Sequence, residues 1–524
     1  MDHVEPTKID WSVLLVIIIG TFMAILNGSI VNVALPKIMA IFNASPDSIQ
    51  WVLTCYIMTL GVVMPITGYL GDTFGYKRTY FVALAIFITG SALCGLSWSV
   101  NSLVAARIIQ AIGGGIMQPL GMAFIYRVTP RSQIGMVLGI WGIAAMAAPA
   151  IGPTLGGYLV EYVNWRLIFY LNVPIGIANL FLASLLLKET KLIRGQTFDY
   201  VGLITSTVGV FCLLLALSQG AKHGWGSPYI VSLLVTAVFS LTIFTFNELS
   251  HPEPLLELRL FRNGLFTIST IIGSVLNVGM FGGMFLLPLL LQNVLGQSAM
   301  KTGLLLLPAA IFTAIAMPIS GRLFDRYGAR GVTIGGLAMV TFTTYIMGSF
   351  NESTPFFVMS CWLILRGFGM GLSMMPVTTA GMNTVPMHLV GKGSALGNVI
   401  RQVSASLGIA MFTTIMQHRQ AIHTANFSNT VNINSPEALT LQSYLKDIAV
   451  STGLGSSGSQ AVGLGIIIKQ IAKISMVHAI GDCFIIASAF CLVALVLCFF
   501  LRDGAGKNAT PAPIIKETTA EAGT

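Results

Sequence analysis

Five short stretches of this chain hold residues whose types and spacing could do chemistry in an apolar setting. Arg107-Ile-Ile-Gln110, followed by Gly113-Gly114-Gly115, lies inside a long hydrophobic run. A guanidinium keeps its charge, so there it must face a polar cavity, meet a partner or snorkel to the surface. Arg107 falls roughly 8 Å from the outer end of its run at 1.5 Å per residue, a depth that leaves snorkelling open. Asn27, in Leu26-Asn27-Gly28-Ser29-Ile30-Val31-Asn32-Val33-Ala34-Leu35-Pro36, offers an amide that hydrogen-bonds but does not titrate. Gly68-Tyr-Leu-Gly-Asp72-Thr-Phe-Gly75-Tyr-Lys77-Arg78 combines turn-forming glycines with an acid and a basic pair. Asp72, Lys77 and Arg78 can make charge-assisted bonds at helix ends that exist in one conformation only, which suits a latch; a plain structural turn is the alternative. Pro149-Ala-Ile-Gly152-Pro153-Thr-Leu-Gly156-Gly157 is either a point of bending or a packing groove for a neighbouring helix. Asn398-Val-Ile-Arg401-Gln402 places a third charged group near the inner end of its run, as an anion site or an end cap.

The elements that must position these residues follow from composition. Hydrophobic residues make up 55% of the chain, charged residues 9%, and the mean hydropathy is +0.82. A soluble chain carries roughly a quarter charged residues, so this one needs lipid around it. Apolar runs of about twenty residues repeat along it, and in hydrocarbon each must satisfy its own backbone as a helix. The ten-residue alternation of a membrane barrel is absent from the sequence. We expect an all-α polytopic membrane protein with fourteen spans, near 12–38, 49–70, 79–98, 102–125, 135–160, 166–187, 199–218, 228–247, 264–292, 302–321, 332–350, 355–378, 394–418 and 478–501. The first run is too long for a signal-peptide core and is read as a retained helix. All seven cysteines fall in apolar runs without metal-ligand spacing, so neither metal nor cofactor is expected.

An even span count puts both termini on one side. With the termini inside, most of the 28 Lys and Arg fall in the tails and cytoplasmic loops, among them Lys77, Arg78, Arg127, Arg131, Lys191, Arg194, Arg322 and Arg330. Only Arg107, Arg366 and Arg401 fall within spans. The net charge of +9 is therefore a topology signal, and nucleic acid is not an expected partner.

The chain also repeats itself. Gly321-Arg-Leu-Phe-Asp325-Arg-Tyr-Gly328-Ala-Arg330 echoes the Gly68 segment, with Gly, Asp, Gly and the basic residue recurring at one offset of 253 residues. Duplication of a six-helix unit explains this. The expected plan is an N-terminal bundle over 1–187, two inserted helices and linkers over 188–263, and a C-terminal bundle over 264–501. That last bundle carries a long outward loop over 419–475, a gating element or a surface-lying segment, and the tail 502–524 is read as disordered and cytoplasmic.

These motifs together resemble the major facilitator superfamily, and within it the fourteen-helix drug:proton antiporters of the EmrB/QacA type. The resemblance covers nearly the whole chain. It implies two pseudo-symmetric six-helix bundles plus two inserted helices. It also implies a role in proton coupling for Arg107 and Gln110, and gating roles for Asp72, Lys77, Arg78, Asp325 and Arg330. Gly152, Pro153, Gly156 and Gly157 match the signature that separates exporters from importers. Asn27, Asn32, Tyr56, Asn398 and Arg401 are the candidate cavity residues. The family pattern has aspartate where this chain has Asn27, and none of the 19 Asp and Glu falls near the middle of a span. Proton coupling must then use Asp72, peripheral acids such as Asp199, Glu161 or Asp482, or the substrate itself. Neutral, zwitterionic or anionic amphiphiles fit better than dications.

The expected function is proton-coupled efflux of small amphiphilic compounds by alternating access, in the cell (inner) membrane. The alternative is a dedicated exporter or flippase of one lipid, siderophore or metabolite. No phosphate-binding Gly-x-x-x-x-Gly-Lys segment and no clustered catalytic set occur, so neither direct ATP use nor an enzyme is expected. The expected partners are substrate, protons and lipid; the chain is read as a monomer, with an adaptor protein left open.

Overall fold

The computed structural model describes residues 9–130, 133–189, 197–430 and 456–501. The expectations for Arg131, Lys191, Arg194, the middle of the outward loop and the tail lie outside them. Among the described residues there are fourteen helical runs and no strand: α1 (Trp11–Ile41), α2 (Ser48–Phe74), α3 (Tyr76–Leu96), α4 (Val100–Val128), α5 (Ile134–Tyr158), α6 (Leu167–Leu186), α7 (Tyr200–His223), α8 (Pro228–Ser250), α9 (Gly264–Leu289), α10 (Ala299–Tyr327), α11 (Ala329–Met347), α12 (Phe356–Met382), α13 (Val390–Thr430) and α14 (Ser456–Cys498). Each expected span falls on one of them. Among the described residues eleven are long and apolar enough to cross a membrane, or twelve if α5, bent by 40° after Pro149, is one span; α9 and α11 are outside that set.

Polar residues mark where helices begin. Ser99 and Ser102 form a reciprocal capping box at α4, Asp199 Oδ1 accepts the Gly202 N–H at 2.7 Å at α7, and Asn263 Oδ1 accepts from Leu265 and Phe266 at α9. Each satisfies N–H groups that a helix start leaves open.

The duplication has a conformational signature. Gly75, between α2 and α3, has φ +92°, and Gly328, between α10 and α11, has φ +88°. Both turns need the left-handed region that glycine enters at least cost, so one backbone solution serves both copies of the motif. Helix packing repeats too. Glycines bring α3 against α4 at Gly90 and Gly113, and α11 against α12 at Gly336 and Gly369.

The two six-helix groups meet along two seams. In one, α5 packs against α10; in the other, α13 packs on the Met64–Phe74 part of α2 and diverges from the earlier part of that helix. The inserted α7 lies against α2 and α13 beside this second seam, with α8 outside it. Trp225, between α7 and α8, donates from Nε1 to Thr414 Oγ1 on α13 at 2.9 Å. The last two helices run further than hydropathy predicts: residues 419–430 continue α13, and 456–475 belong to α14.

Candidate transport site and its gates

Arg107 stands on the second turn of α4, because the helix starts at Val100. Its side chain has no solvent exposure, so the snorkelling alternative is not what the fold adopts. Nη1 donates to Gln110 Oε1 at 2.8 Å and Nε to the Val52 carbonyl of α2 at 3.3 Å. Cζ lies 3.8 Å from the centroid of the Tyr56 ring, and Nη2 has no hydrogen-bond partner. Gln110 passes the network to α3 by donating to Ser91 Oγ at 2.6 Å. Among the described residues no carboxylate pairs with Arg107; an aromatic face and carbonyl dipoles hold the charge instead. Tyr56, also buried, donates to the Ala24 carbonyl of α1 at 3.1 Å. One turn along the same face of α1 is Asn27, fully buried, with neither amide atom hydrogen-bonded. Asn27, Tyr56, Arg107 and Gln110 thus form one unit. Asn32 is exposed and is not part of it.

The two glycine-rich loops put their acids to different uses. Asp72 accepts from the Tyr76 hydroxyl at 3.0 Å and pairs with Arg127 of α4 at 3.5 Å, while the Arg127 guanidinium covers the Tyr76 ring. Lys77 and Arg78 do not join Asp72. The Lys77 ammonium donates to the Ser184 carbonyl near the end of α6 at 2.8 Å, and Arg78 Nε lies 3.6 Å from Glu189. A cation on the closing carbonyls of a helix is the favourable end for its charge. In the second copy, Asp325 reaches across the seam and accepts the Gly135 N–H at 3.3 Å and the Met136 N–H at 3.2 Å. A carboxylate from one half therefore caps the start of α5 in the other. Arg330 lies 5.9 Å from the Phe499 ring.

Helix α5 is a glycine-faced rod between the halves. A Cβ at Gly139 would sit 2.6 Å from the Met317 carbonyl of α10, and one at Gly142 2.5 Å from Met317 Sδ. At its far end the signature glycines turn to α1 instead: Gly152 abuts Ser29, and a Cβ at Gly156 would be 2.8 Å from Ile30 Cγ1. Ser29 donates to the Ala148 carbonyl at 3.3 Å, close to Pro149 where the helix bends. Gly157 is looser, since a Cβ there would come no nearer than 3.9 Å to Val33, and Pro153 is half-buried. A wholly apolar cavity of about 350 Å³ opens between α5 and α10, lined by residues including Ile143, Ile151, Ile311 and Pro318.

Arg401 lies eleven residues into α13, too deep to cap its start. It lines a cavity of about 60 Å³ between α9, α12 and α13. Asn398 does not reach that cavity; its amide donates to the Ser394 carbonyl of its own helix at 2.8 Å. Sequence reasoning missed the opposite wall, Ser269, Thr270, Ser274 and Asn277 of α9, although their spacing of three and four marks one helix face.

A further cluster joins the extended ends of α13 and α14. Asp482 Oδ2 takes Arg419 Nε at 2.6 Å and His423 Nε2 at 2.7 Å, and the His423 and His478 rings lie 5.5 Å apart. Lys473 pairs with Glu352 at 2.9 Å. Asp482→Asn removes the carboxylate that Arg419 and His423 share among the described residues. It is expected to lower unfolding stability in detergent by about 1–2 kcal/mol; an unshifted denaturation midpoint would show that α13 and α14 do not depend on it.

A helical array with a repeated glycine turn, an arginine buried without a carboxylate among the described residues, and a carboxylate of one half on helix α5 of the other fits a membrane transporter. The chain belongs to the Major Facilitator Superfamily, whose family model matches residues 17–409. It is 37% identical to the uncharacterized MFS-type transporter YhcA of Bacillus subtilis over 95% of this chain and 94% of that one. It is 31% identical to the multidrug export protein EmrB of Escherichia coli, covering 93% and 95%. Among solved structures, the human organic anion transporter MFSD10 superimposes with a TM-score of 0.61 at 13% identity, covering 93% of this chain and 99% of that chain, a likeness of fold. The sequence resemblance to EmrB-type proteins is thereby borne out.

Proposed function

We propose that this chain exports small amphiphilic compounds across the cytoplasmic membrane by alternating access, driven by inward proton movement, with fourteen spans arranged six, two and six and both termini inside. The observation that carries this reading is the cross-seam cap of Asp325 on α5, a contact between halves that rocking must break and remake. With the glycine-rich loops on the cytoplasmic side, the state described is closed inward: α2 and α13 meet at that end and part towards the other. The near end-to-end match to a protein named as a multidrug exporter supports outward transport. The apolar α5–α10 cavity supports a substrate with a hydrophobic body.

Purified protein in proteoliposomes is expected to move an amphiphilic dye against its gradient when the proton gradient is imposed, and to stop when an ionophore collapses it. Transport that ignores the ionophore would remove proton coupling. A deletion strain unaffected across a chemically broad drug panel would narrow the substrate range to a dedicated compound.

A further inference from the structure

We propose that the cavity around Arg401 is an anion-recognition subsite for carboxylate-headed amphiphiles that carry an adjacent N–H or O–H donor. This rests on the export reading and names its substrate class. About 16 Å into α13 at 1.5 Å per residue, Arg401 meets neither salt bridge nor hydrogen bond among the described residues. The lining holds no acid. A permanent charge placed at membrane depth beside a cavity, with its donors unspent, calls for an acceptor from outside the chain.

The other wall supplies the rest of the chemistry. The hydroxyls of Thr270, Ser274 and Thr378 already donate to carbonyls one turn back, at 2.8, 2.8 and 3.1 Å, so towards the cavity they offer oxygen lone pairs. The Asn277 amide donates to the Gly273 carbonyl at 2.6 Å, leaving its buried Oδ1 unpartnered. Ser269 Oγ is likewise buried and unpartnered, and its hydroxyl proton is free to join Arg401 in binding an anion. Arg401 and Ser269 thus donate, while Asn277 Oδ1 accepts. A carboxylate flanked by an amide N–H or a hydroxyl satisfies all three, as an N-acyl amino acid or a hydroxy acid does. The volume of about 60 Å³ takes such a head and excludes the hydrophobic body.

Gly397 offers an independent handle. A Cβ there meets no atom within 4 Å, so a larger side chain fills the cavity without displacing a neighbour.

The test uses the full-length protein and four probes of matched chain length: N-decanoylglycine, decanoate, N-decanoylglycine methyl ester and decyltrimethylammonium. Binding is read by tryptophan fluorescence and transport in proteoliposomes. Wild type is expected to bind N-decanoylglycine at least about tenfold more tightly than its ester, with decanoate between them. R401Q and G397V are expected to bring the acid-to-ester affinity ratio down to about one, and R401K to retain part of the preference. Equal wild-type affinity for acid and ester overturns the subsite, as does an undiminished preference in both R401Q and G397V, since a water-filled cavity gives that result. If the preference holds and is lost in the variants but no probe is transported, the export reading fails and the subsite stands. If the ester is transported and the acid shows no preference, the reverse is true.

Discussion

Replacing Gly321 by leucine is expected to hold the two halves apart at the start of α5 and to slow transport at least about fivefold. A Cβ at Gly321 would run into the Gly135 carbonyl and lie 2.9 Å from the Met136 Cα. These are backbone atoms at the start of α5, so no rotamer change relieves the clash. Overpacking of this kind costs about 1–3 kcal/mol. Under the alternating-access reading proposed above, the contact exists only when the halves are closed here, so that cost falls on one state and shifts the balance about five- to 150-fold. Asp325→Ala should act in the same direction but less strongly, since losing a helix cap costs about 0.5–2 kcal/mol. Gly335→Leu is the control, because a Cβ there meets nothing within 4 Å. Spin labels at the exposed Gln133 and Arg322, in a cysteine-free background, should report a longer distance in Gly321→Leu and no change in the control. An unchanged distance distribution together with unchanged transport would show that this seam does not open.

What the sequence disclosed about these gates, and what it did not, follows from the range of the interactions. The repeat of Gly75 and Gly328 was legible because a turn demanding positive φ writes itself into one residue. The target of Asp325 was not: its partners are backbone amides 189 and 190 residues away, which carry no side-chain signature. Asp72, Lys77 and Arg78 were legible as helix-end charges but their partners were not: Lys77 reaches the Ser184 carbonyl of α6, Arg78 reaches Glu189 beyond it, and Arg127 comes to Asp72 from 55 residues away. The ends of α13 and α14 were read as loop because hydropathy registers only the part of a helix that lipid surrounds, and Arg419, His423 and Lys473 belong to the part beyond. The polar stripe on α9 was legible in principle. Serine and threonine inside apolar spans are commonly absorbed by their own backbone, as Thr270 and Ser274 are, and only the unspent atoms of Ser269 and Asn277 separate a lining from ordinary helix packing.

The same reasoning about unspent atoms governs Arg107, where depth alone did not separate a snorkelling cation from a buried one. Arg107→Ala is expected to reduce gradient-driven transport at least about tenfold while changing stability little. Truncation loses two charge-assisted hydrogen bonds and a cation–π contact but also removes a charge that no carboxylate balances among the described residues, and these contributions oppose one another. Asn27→Asp tests the other end of the unit. A carboxylate at this fully buried position, next to the turn that holds the Tyr56 hydroxyl, has the guanidinium stacked on that ring as its available counter-charge. With Arg107 present the acid should be tolerated, and the site should begin to accept monocationic substrates. In an Arg107→Ala background the same acid is buried without that counter-charge and should cost about 1–3 kcal/mol more, proton uptake limiting the penalty. A double-mutant cycle on unfolding stability is therefore expected to give a coupling of about 1–3 kcal/mol. Strict additivity of the two substitutions would mean that Asn27 and Arg107 do not form one electrostatic site, and that the amide at Asn27 leaves the charge of Arg107 to be balanced elsewhere.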